Sequence, residues 1–599
     1  MTLARVIVLF ALSVMILCAT AQTSPPLELP IELQLDARAL VGLPSEKPSE
    51  VPSEEPVCFD DQVVIRATIS NARDLMLLNQ LSDDPWTHSP GIGGTSDWRI
   101  SRDKLKVLSG AGIAYVIFID DINELVQSER DRLEQPVEAA SWFEDFKNLA
   151  AVNAQLDAYV AAHPATCKIV TTGTSIQGRV IRGIRISRHP EGTVLPGFVF
   201  TATQHAREWA GTMTAMWIVD RLVEGDGVDA RTTAIVDSSE VFVFPVLNPD
   251  GYEYTWATNR LWRKNRRLNS GGSYGVDMNR NWGFGWGGTG ASTSQSSETY
   301  RGTAAFSEPE TKGFRDWVTP RTNIAASLDI HSYSELLLWP WGYTGTLCPD
   351  QSSFNKVGTV MHDAIQAVYG MDYITGPVYS TIYPASGGAS DWAYGGAGQL
   401  AYSVEVRDLG TYGFIMPASE IIPNAIENFA GIMAMMEQSL QACTITVVAG
   451  PSISIDVGVA SLVRATVAVN VGTLIATNPV RLNWQVTGGA KQTVNMNVVG
   501  GERVGQLPAF SCGESIAWWI EAETNFTFTR WPNNMPGSTR VGSTPLCTIE
   551  GDFNGDGFVD AADLGRLLAE FGYCAGCLED LNHNNDVDTE DLGLFLLLI

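Results

Sequence analysis

The feature that most constrains this chain is an alternation of two spacings. Between residues 140 and 442, apolar strand-like runs at 180–186, 197–203, 241–247, 324–330 and 399–405 are separated by stretches with helical spacing. Those stretches lie at 142–162, 212–223, 308–318, 352–368 and 421–440. Strands that alternate with helices imply an α/β fold, a sheet with helices on both faces. Ligands in such folds collect beyond the strand ends, and the residues from Gln204, Asn248, His331 and Glu405 onward fall there.

The flanks read differently. Residues 1–21 have a charged start at Arg5, an apolar run and the small residues Ala19-Thr20-Ala21, the pattern of a secretory signal peptide. Residues 22–57 are rich in Pro, Ser and Glu and are expected to be a disordered leader or linker. Residues 58–139 form a small unit of strands (63–69 and a buried 115–119) and helices (72–81, 101–111, 122–133). From 443 to 548 helical spacing disappears, and short strands at 452–457, 462–469, 481–486 and 515–523 suggest a β-sandwich. No run is long enough for a membrane helix, so an exported, extracellular protein is expected.

Residues 549–599 hold an internal repeat. Asp552, Asn554, Asp556, Asp560 and Asp563 stand at positions 1, 3, 5, 9 and 12 of one loop. Asp580, Asn582, Asn584, Asp588 and Asp591 repeat the spacing. Oxygen side chains in that pattern suit calcium, and two ions are expected. Gly557 or Asn585 can take the left-handed turn. The net charge of −28 argues against nucleic acid as a partner. Eight cysteines remain beyond the signal, which permits disulfides in an exported chain; Cys574-x-x-Cys577 reads as structural.

The chemistry starts at Gln204-His205-Ala206-Arg207-Glu208-Trp209. His205 and Glu208 are three apart at the opening of a helix, so an imidazole and a carboxylate reach one point. That pair suits zinc, which takes N and O ligands and needs one more to leave a position open. Of the 7 histidines, His331 is the one at a strand end in the same unit. A satisfied core histidine is the alternative for it.

At these residues the chain resembles the zinc carboxypeptidases of the pancreatic A and B type, over roughly residues 140–440. The resemblance rests on the stretch around His205 and on Leu247-Asn248-Pro249-Asp250-Gly251-Tyr252, Trp262-Arg263-Lys264-Asn265-Arg266 and Val276-Asp277-Met278-Asn279-Arg280-Asn281-Trp282. It rests also on Ile330-His331-Ser332-Tyr333-Ser334, Ile382-Tyr383-Pro384-Ala385-Ser386-Gly387-Gly388 and Glu405-Val406-Arg407-Asp408. It implies a mixed central sheet, one catalytic zinc on His205, Glu208 and His331, a general base at Glu405 and an oxyanion-stabilising Arg263. Asn279, Arg280 and Tyr383 would grip a terminal carboxylate, Arg207 would be an accessory substrate arginine, and Asp277 would orient His205. The 58–139 unit looks like the family's α+β activation propeptide. That implies a zymogen opened by an activating protease between about residues 130 and 141.

These roles are physically reasonable. A planar guanidinium fork matches a carboxylate that only the last residue of a peptide offers, which makes an exopeptidase. Ser390 and Gly388 fall in the pocket for the last side chain, near Ile382, Ala385, Leu338 and Ser403. No acid is read among them, which favours neutral, apolar or aromatic termini. The tail resembles dockerin-type calcium repeats, which implies calcium binding and docking to a partner module, or stabilisation of the terminus by calcium alone. The competing readings are an inactive peptide-binding protein on the same fold and a zinc amidase. Retention of Glu405 and of the Asn279-Arg280-Tyr383 set argues against both.

Overall fold

The computed structural model describes residues 55–598 except 83, 88–91, 135–140, 194, 452–454, 456–457, 512, 532–539, 544–552, 554–558, 575 and 576. The expected signal, almost all of the leader and the expected strand at 452–457 lie largely outside the described residues.

The first unit runs β1 (Gln62–Thr68), α1 (Ala72–Leu81), β2 (Asp84–Pro85), β3 (Thr95–Ser101), α2 (Leu105–Gly110), β4 (Tyr115–Ile119) and α3 (Ile122–Glu134). Its sheet is antiparallel in the order β2-β3-β1-β4. The expectation that 115–119 is buried needs correction. β4 is an edge strand, with Val116 61% and Ile117 40% exposed. Only one neighbour covers it, and a continuous apolar run cannot by itself report position in a sheet. The expected helix at 101–111 is also shorter, starting with a 3₁₀ turn at Arg102–Lys104.

The main unit contains α4 (Leu149–Ala162), β5 (Cys167–Thr174), β6 (Val180–Ile186), β7 (Gly197–Ala202), α5 (Trp209–Gly225), α6 (Ala230–Ser238), β8 (Glu240–Phe244), α7 (Pro249–Ala257) and α8 (Pro309–Val318). It continues with β9 (Ile324–Ser332), β10 (Leu336–Trp339), α9 (Gln351–Tyr369), β11 (Ile374–Pro377), α10 (Val378–Thr381), α11 (Ala389–Gly395), β12 (Leu400–Val406) and α12 (Ile421–Leu440). The eight strands form one sheet in the order β11-β10-β12-β9-β7-β8-β6-β5. The sheet is mixed: β8, β7, β9 and β12 are mutually parallel, whereas β6 and β10 join antiparallel. Residues of β7 and β8 are buried at every position, so both faces of the sheet are covered. One large core joins these strands to α5, α9 and α12. The helix expected at 142–162 is instead a 3₁₀ turn at Trp142–Glu144 and α4, whose N-cap Asn148 accepts from Ala151 N.

After α12 come β13 (Cys443–Ala449), β14 (Ser461–Val469), β15 (Val480–Val486), β16 (Gln492–Asn495), β17 (Asn497–Val499), β18 (Glu502–Leu507), β19 (Ser515–Glu523), β20 (Phe528–Trp531) and β21 (Arg540–Ser543). They make two sheets, β13-β14-β18-β17 and β16-β15-β19-β20 with β21 on β19. Both sheets contribute to one core around Val463, Leu482, Leu507, Trp518 and Ile520.

The tail has α13 (Ala561–Ala569), β22 (Gly572–Tyr573), β23 (Asp586–Val587) and α14 (Thr589–Phe595). Cys574 is disulfide-bonded to Cys577, while Cys58, Cys167, Cys348 and Cys443 are free thiols. No helix among the described residues is long and apolar enough to cross a membrane.

Candidate active site

The parallel strands β7, β9 and β12 end at one edge of the sheet, and the site grows from those ends. The turn after β7 passes through Thr203, which has a φ of 60°, and delivers His205. Glu208 occupies the N-cap position of α5, yet its side chain makes no cap hydrogen bond. Its carboxylate instead meets His205 Nδ1 at 2.7 Å and His331 Nδ1 at 2.9 Å. His331 is the eighth residue of β9. It stands beside Glu405 of β12 in the parallel register. Gly211 on α5 faces the Ile330 carbonyl, where an added Cβ would lie only 3.0 Å away, so the helix can sit close to the strand.

The donor set fits a single cation. His205 Nε2 lies 3.2 Å from Asp277 Oδ1, and His331 Nε2 lies 2.6 Å from Asp329 Oδ2. A carboxylate on Nε2 places the proton there and leaves Nδ1 as a lone pair. The two Nδ1 atoms are 3.1 Å apart and face the same carboxylate. Two lone pairs and an anion converging in a buried space repel one another unless a positive ion sits among them. Imidazole and carboxylate donors with three protein ligands are the chemistry of an open zinc site.

The electrostatics follow from the cluster. Burial pushes Glu208 up, but His205 and His331 outweigh it and hold the carboxyl below its usual range. Burial opposes positive charge at His331, whereas Asp329 and Glu208 favour it, and a cation on Nδ1 would supply that charge in place of a second proton. Asp277 is fully buried and stays ionised because Arg263, at 2.9 Å, overcomes the effect of burial. Asp277 also caps the short turn Met278–Arg280, accepting from Asn279 N. Glu405 is pushed up to about 8, chiefly by burial, with His331 opposing.

A pocket continues from this cluster. It is lined by His205, Arg263, Asn279, Arg280, His331, Tyr383 and Glu405 on one side. Leu338, Gly342, Val378, Ile382, Ala385, Gly388, Ser390, Asp391 and Ser403 line the rest. Arg280 is buried, and two of its donors are fixed by the carbonyls of Gly290 and Asn279, each at 2.8 Å. Its Nη2 is buried with no protein acceptor among the described residues. Burial raises the Tyr383 phenol, with the Arg280 guanidinium opposing. Ser390 lies in the pocket wall as expected.

One expectation changes. An acid does line the pocket: Asp391, unread in the sequence. It accepts Gly342 N at 2.8 and 3.0 Å and Tyr343 N at 2.9 Å, and burial pushes it up to about 7. Arg207 is wholly buried, bonds Asp84 of the first unit at 2.7 Å and lies 4.0 Å from the Phe414 ring centroid.

Asp329 was also unread. Its signal was present, since residues two apart on a strand share a face and Asp329 precedes His331 by two. The first unit lies against the cleft through Trp86, which packs with Tyr333 and Phe414. A further cleft of about 470 Å³ separates Trp86, Thr87 and Thr95 from Ser332, Tyr383 and Glu405.

In the tail, Asp560 and Asp588 cap α13 and α14, with Asp563 and Asp591 completing each capping box. Asp580 accepts from Asn584 N and Asn585 N. Asp591 accepts from Asn582 N, and Asn584 Oδ1 accepts from Asp586 N. Asn585 has a φ of 73°, the turn expected of it. Asp552, Asn554 and Asp556 lie outside the described residues.

Comparison with known proteins gives a consistent answer. The family model described as zinc carboxypeptidase matches residues 152–431. Carboxypeptidase A1 of Bos taurus is 37% identical over 393 residues, which is 63% of this chain and 93% of that one. Carboxypeptidase A2 of Rattus norvegicus is 36% identical over 335 residues, 55% of this chain and 80% of that one. The crystal structure of the carboxypeptidase A from Helicoverpa armigera superposes with a TM-score of 0.58 at 27% identity, over 64% of this chain and 98% of that chain.

Proposed function

This chain belongs to the zinc carboxypeptidase family and is a metallocarboxypeptidase, and from that premise we propose how its own residues do the work. His205, Glu208 and His331 hold the zinc. Arg280, with Asn279 and Tyr383, grips the free carboxylate of the last residue. The observation that carries this reading is the buried Arg280 Nη2, left without a protein acceptor among the described residues, in the pocket that also holds the two histidines. A guanidinium fixed by two carbonyls is presented ready-made to an anion.

Zinc in this site supplies Lewis acidity, polarising a carbonyl and acidifying water. Glu405 takes a proton from the attacking water and returns it to the leaving amine. Burial raises its affinity for a proton, which suits holding the proton until the leaving amine takes it. Arg263 stabilises the negative charge that develops on the scissile carbonyl oxygen. Asp277 holds both Arg263 and His205 in place and is a positioning residue.

Neutral, apolar or aromatic termini are the preferred substrates. Ser390, Leu338, Ile382 and Ala385 offer no counter-charge. The oxygens of Asp391 are taken by backbone N–H groups, so it offers a basic side chain little.

The protein is made as an exported zymogen, with residues 1–21 as signal and 58–139 as propeptide. Support comes from Asp84 on Arg207 and from Glu129 of α3 on Arg260. Arg207 is an accessory substrate arginine that only removal of the first unit uncovers. The two sheets of 443–548 form an appended β-sandwich. The loops of 549–599 bind calcium, and the dockerin-like tail docks to a partner module.

The test is to incubate the trypsin-treated protein with N-blocked dipeptides ending in Phe, Leu, Lys and Glu, with and without a zinc chelator. Release of Phe and Leu that stops on zinc removal is expected. Release that survives complete zinc removal would exclude the mechanism.

A further inference from the structure

The two-sheet unit has its own core, yet Val471 and Phe526, from two of its loops, are buried in the core of the main unit. The loops are tied to each other, since Asn525 Oδ1 accepts Thr473 N at 2.8 Å. They are tied to the main unit as well. Gly472 N donates to Ser353 Oγ at 2.8 Å, and Asn525 Nδ2 lies 3.3 Å from both oxygens of Asp350. Asp350 in turn accepts the Tyr394 hydroxyl at 2.7 Å. The Phe526 ring lies 6.3 Å from Tyr394 and 6.4 Å from Phe354.

Tyr394 is on α11, whose first turn carries Ser390 and Asp391 of the pocket. On its other side Tyr394 packs on Trp341 at 4.9 Å. The residue after Trp341 is Gly342, the partner of Asp391. A helix of seven residues has little stability of its own, so its position is set by what packs on it. Here that includes a loop tip from outside the stretch matched by the family model.

We infer that Asn525 and Phe526 are positioning residues for substrate selection: the appended unit fixes α11, and so the depth of the pocket at Ser390. The inference rests on the reading that this pocket receives the last side chain. Loss of the Phe526 ring frees α11 to shift outward, and a bulky terminal residue then loses its fitted wall. One missing apolar contact in such a pocket changes discrimination by about tenfold.

The experiment uses the full, protease-activated chain and N-blocked dipeptides ending in Ala, Leu and Phe. Phe526→Ala should narrow the Phe-over-Ala preference in kcat/KM about tenfold, through KM rather than kcat. Phe526→Leu should restore most of it. Asn525→Ala, which keeps the Phe526 ring and removes the bonds to Asp350 together with the tie to Thr473, should shift the preference in the same direction. Amide exchange in 389–397 should quicken in both alanine variants. An unchanged preference in Phe526→Ala and Asn525→Ala overturns the inference. Ser390→Phe separates the two failures. If it alters the preference while the loop variants do not, only the buttress falls; if none does, the pocket reading falls with it.

Discussion

Asp277→Asn removes one charge and keeps the shape. The carboxylate of Asp277 accepts from Arg263 Nη2 at 2.9 Å and from Asn279 N at 2.9 Å, and lies 3.2 Å from His205 Nε2. An amide has one acceptor oxygen, so its NH₂ must face either the guanidinium or the imidazole N–H. One charge-assisted bond is lost, worth about 1.5–3 kcal/mol. Partners that orient metal ligands change metal affinity by about 10–100-fold when replaced. That range is about 1.4–2.7 kcal/mol, so the two routes to the magnitude agree. The expected result is zinc held about 10–100-fold more weakly, with kcat reduced because Arg263 also drifts. Competition of the activated protein against a chromophoric chelator measures the first quantity directly. Asp277→Ala should in addition cost a few kcal/mol of stability, about the lower end of the 3–5 kcal/mol range for breaking a buried pair, because Arg263 loses its nearer carboxylate and keeps Glu208 at 3.9 Å. Zinc affinity within twofold of the wild type in Asp277→Asn would refute the positioning role.

Arg280→Ala should lower kcat/KM on dipeptides with a free C-terminus on the order of 10³-fold, two charge-assisted bonds' worth, with zinc content unchanged. Loss of zinc instead would show that Arg280 is structural. Asp84→Asn should raise the activity of the unprocessed chain several-fold, because Arg207 loses its internal counter-ion; assays before and after trypsin compare the two, and equal zymogen activity counts against the blocking role. Glu310 is pushed from 4.5 up to about 7 by burial. The folded state therefore binds more protons than the unfolded one between those values. The contribution is fully present below about pH 4.5 and is lost as pH rises toward 7, roughly 3 kcal/mol in all. Glu310→Gln should flatten that slope in urea unfolding at pH 5 and pH 8; an unaltered slope would mean the group is ionised when folded. Calcium at 100 times its Kd should stabilise the tail by about 2.7 kcal/mol, read as slower proteolysis beyond residue 549, and an equal rate in chelator would dismiss the loops as ion sites.

Local spacing made part of the site legible. His205 and Glu208 are joined by a single turn, and His331 and Glu405 end apolar runs, so each announces itself within a few residues. Asp329 is equally local, two residues before His331 on the same face of β9, but a lone acid within an apolar run carries no period of its own. The pairing of Asp84 with Arg207 was not legible, because 123 residues separate them. Asp391 was missed for another reason. Its role is set by the backbone of Gly342 and Tyr343, and no side-chain pattern encodes where a loop will turn its N–H groups. Short elements such as β10 and β11 have four residues each. They carry too few side chains to show a period, whereas α9 and α12 run for 19 and 20 residues and show it plainly. The edge exposure of β4 is likewise a property of the sheet order, not of its five residues.

The two arginines beneath the first unit explain how such a unit could be both specific and removable. Arg207 and Arg260 are almost fully buried, and each has one carboxylate from the first unit and one aromatic ring from the main one. Taking charges out of water costs about what the pairing returns, so these bonds fix register more than they supply adhesion. Adhesion comes from the apolar patch in which Phe59, Val64, Trp86, Ile119, Ile122 and Val126 meet Leu261, Tyr333, Phe414 and Ile415. Three of those residues, Ile119, Ile122 and Val126, lie on the end of β4 and on α3, the helix that precedes the proposed cleavage segment. A cut there leaves α3 attached at one end only, and each of its contacts then depends on the rest of the patch. Once α3 frays, Glu129 leaves Arg260, and water can reach the guanidinium that the helix had covered. On the proposed zymogen reading, a cut at the end of α3 therefore removes a register-fixing pair and weakens the hold of the first unit on the main one.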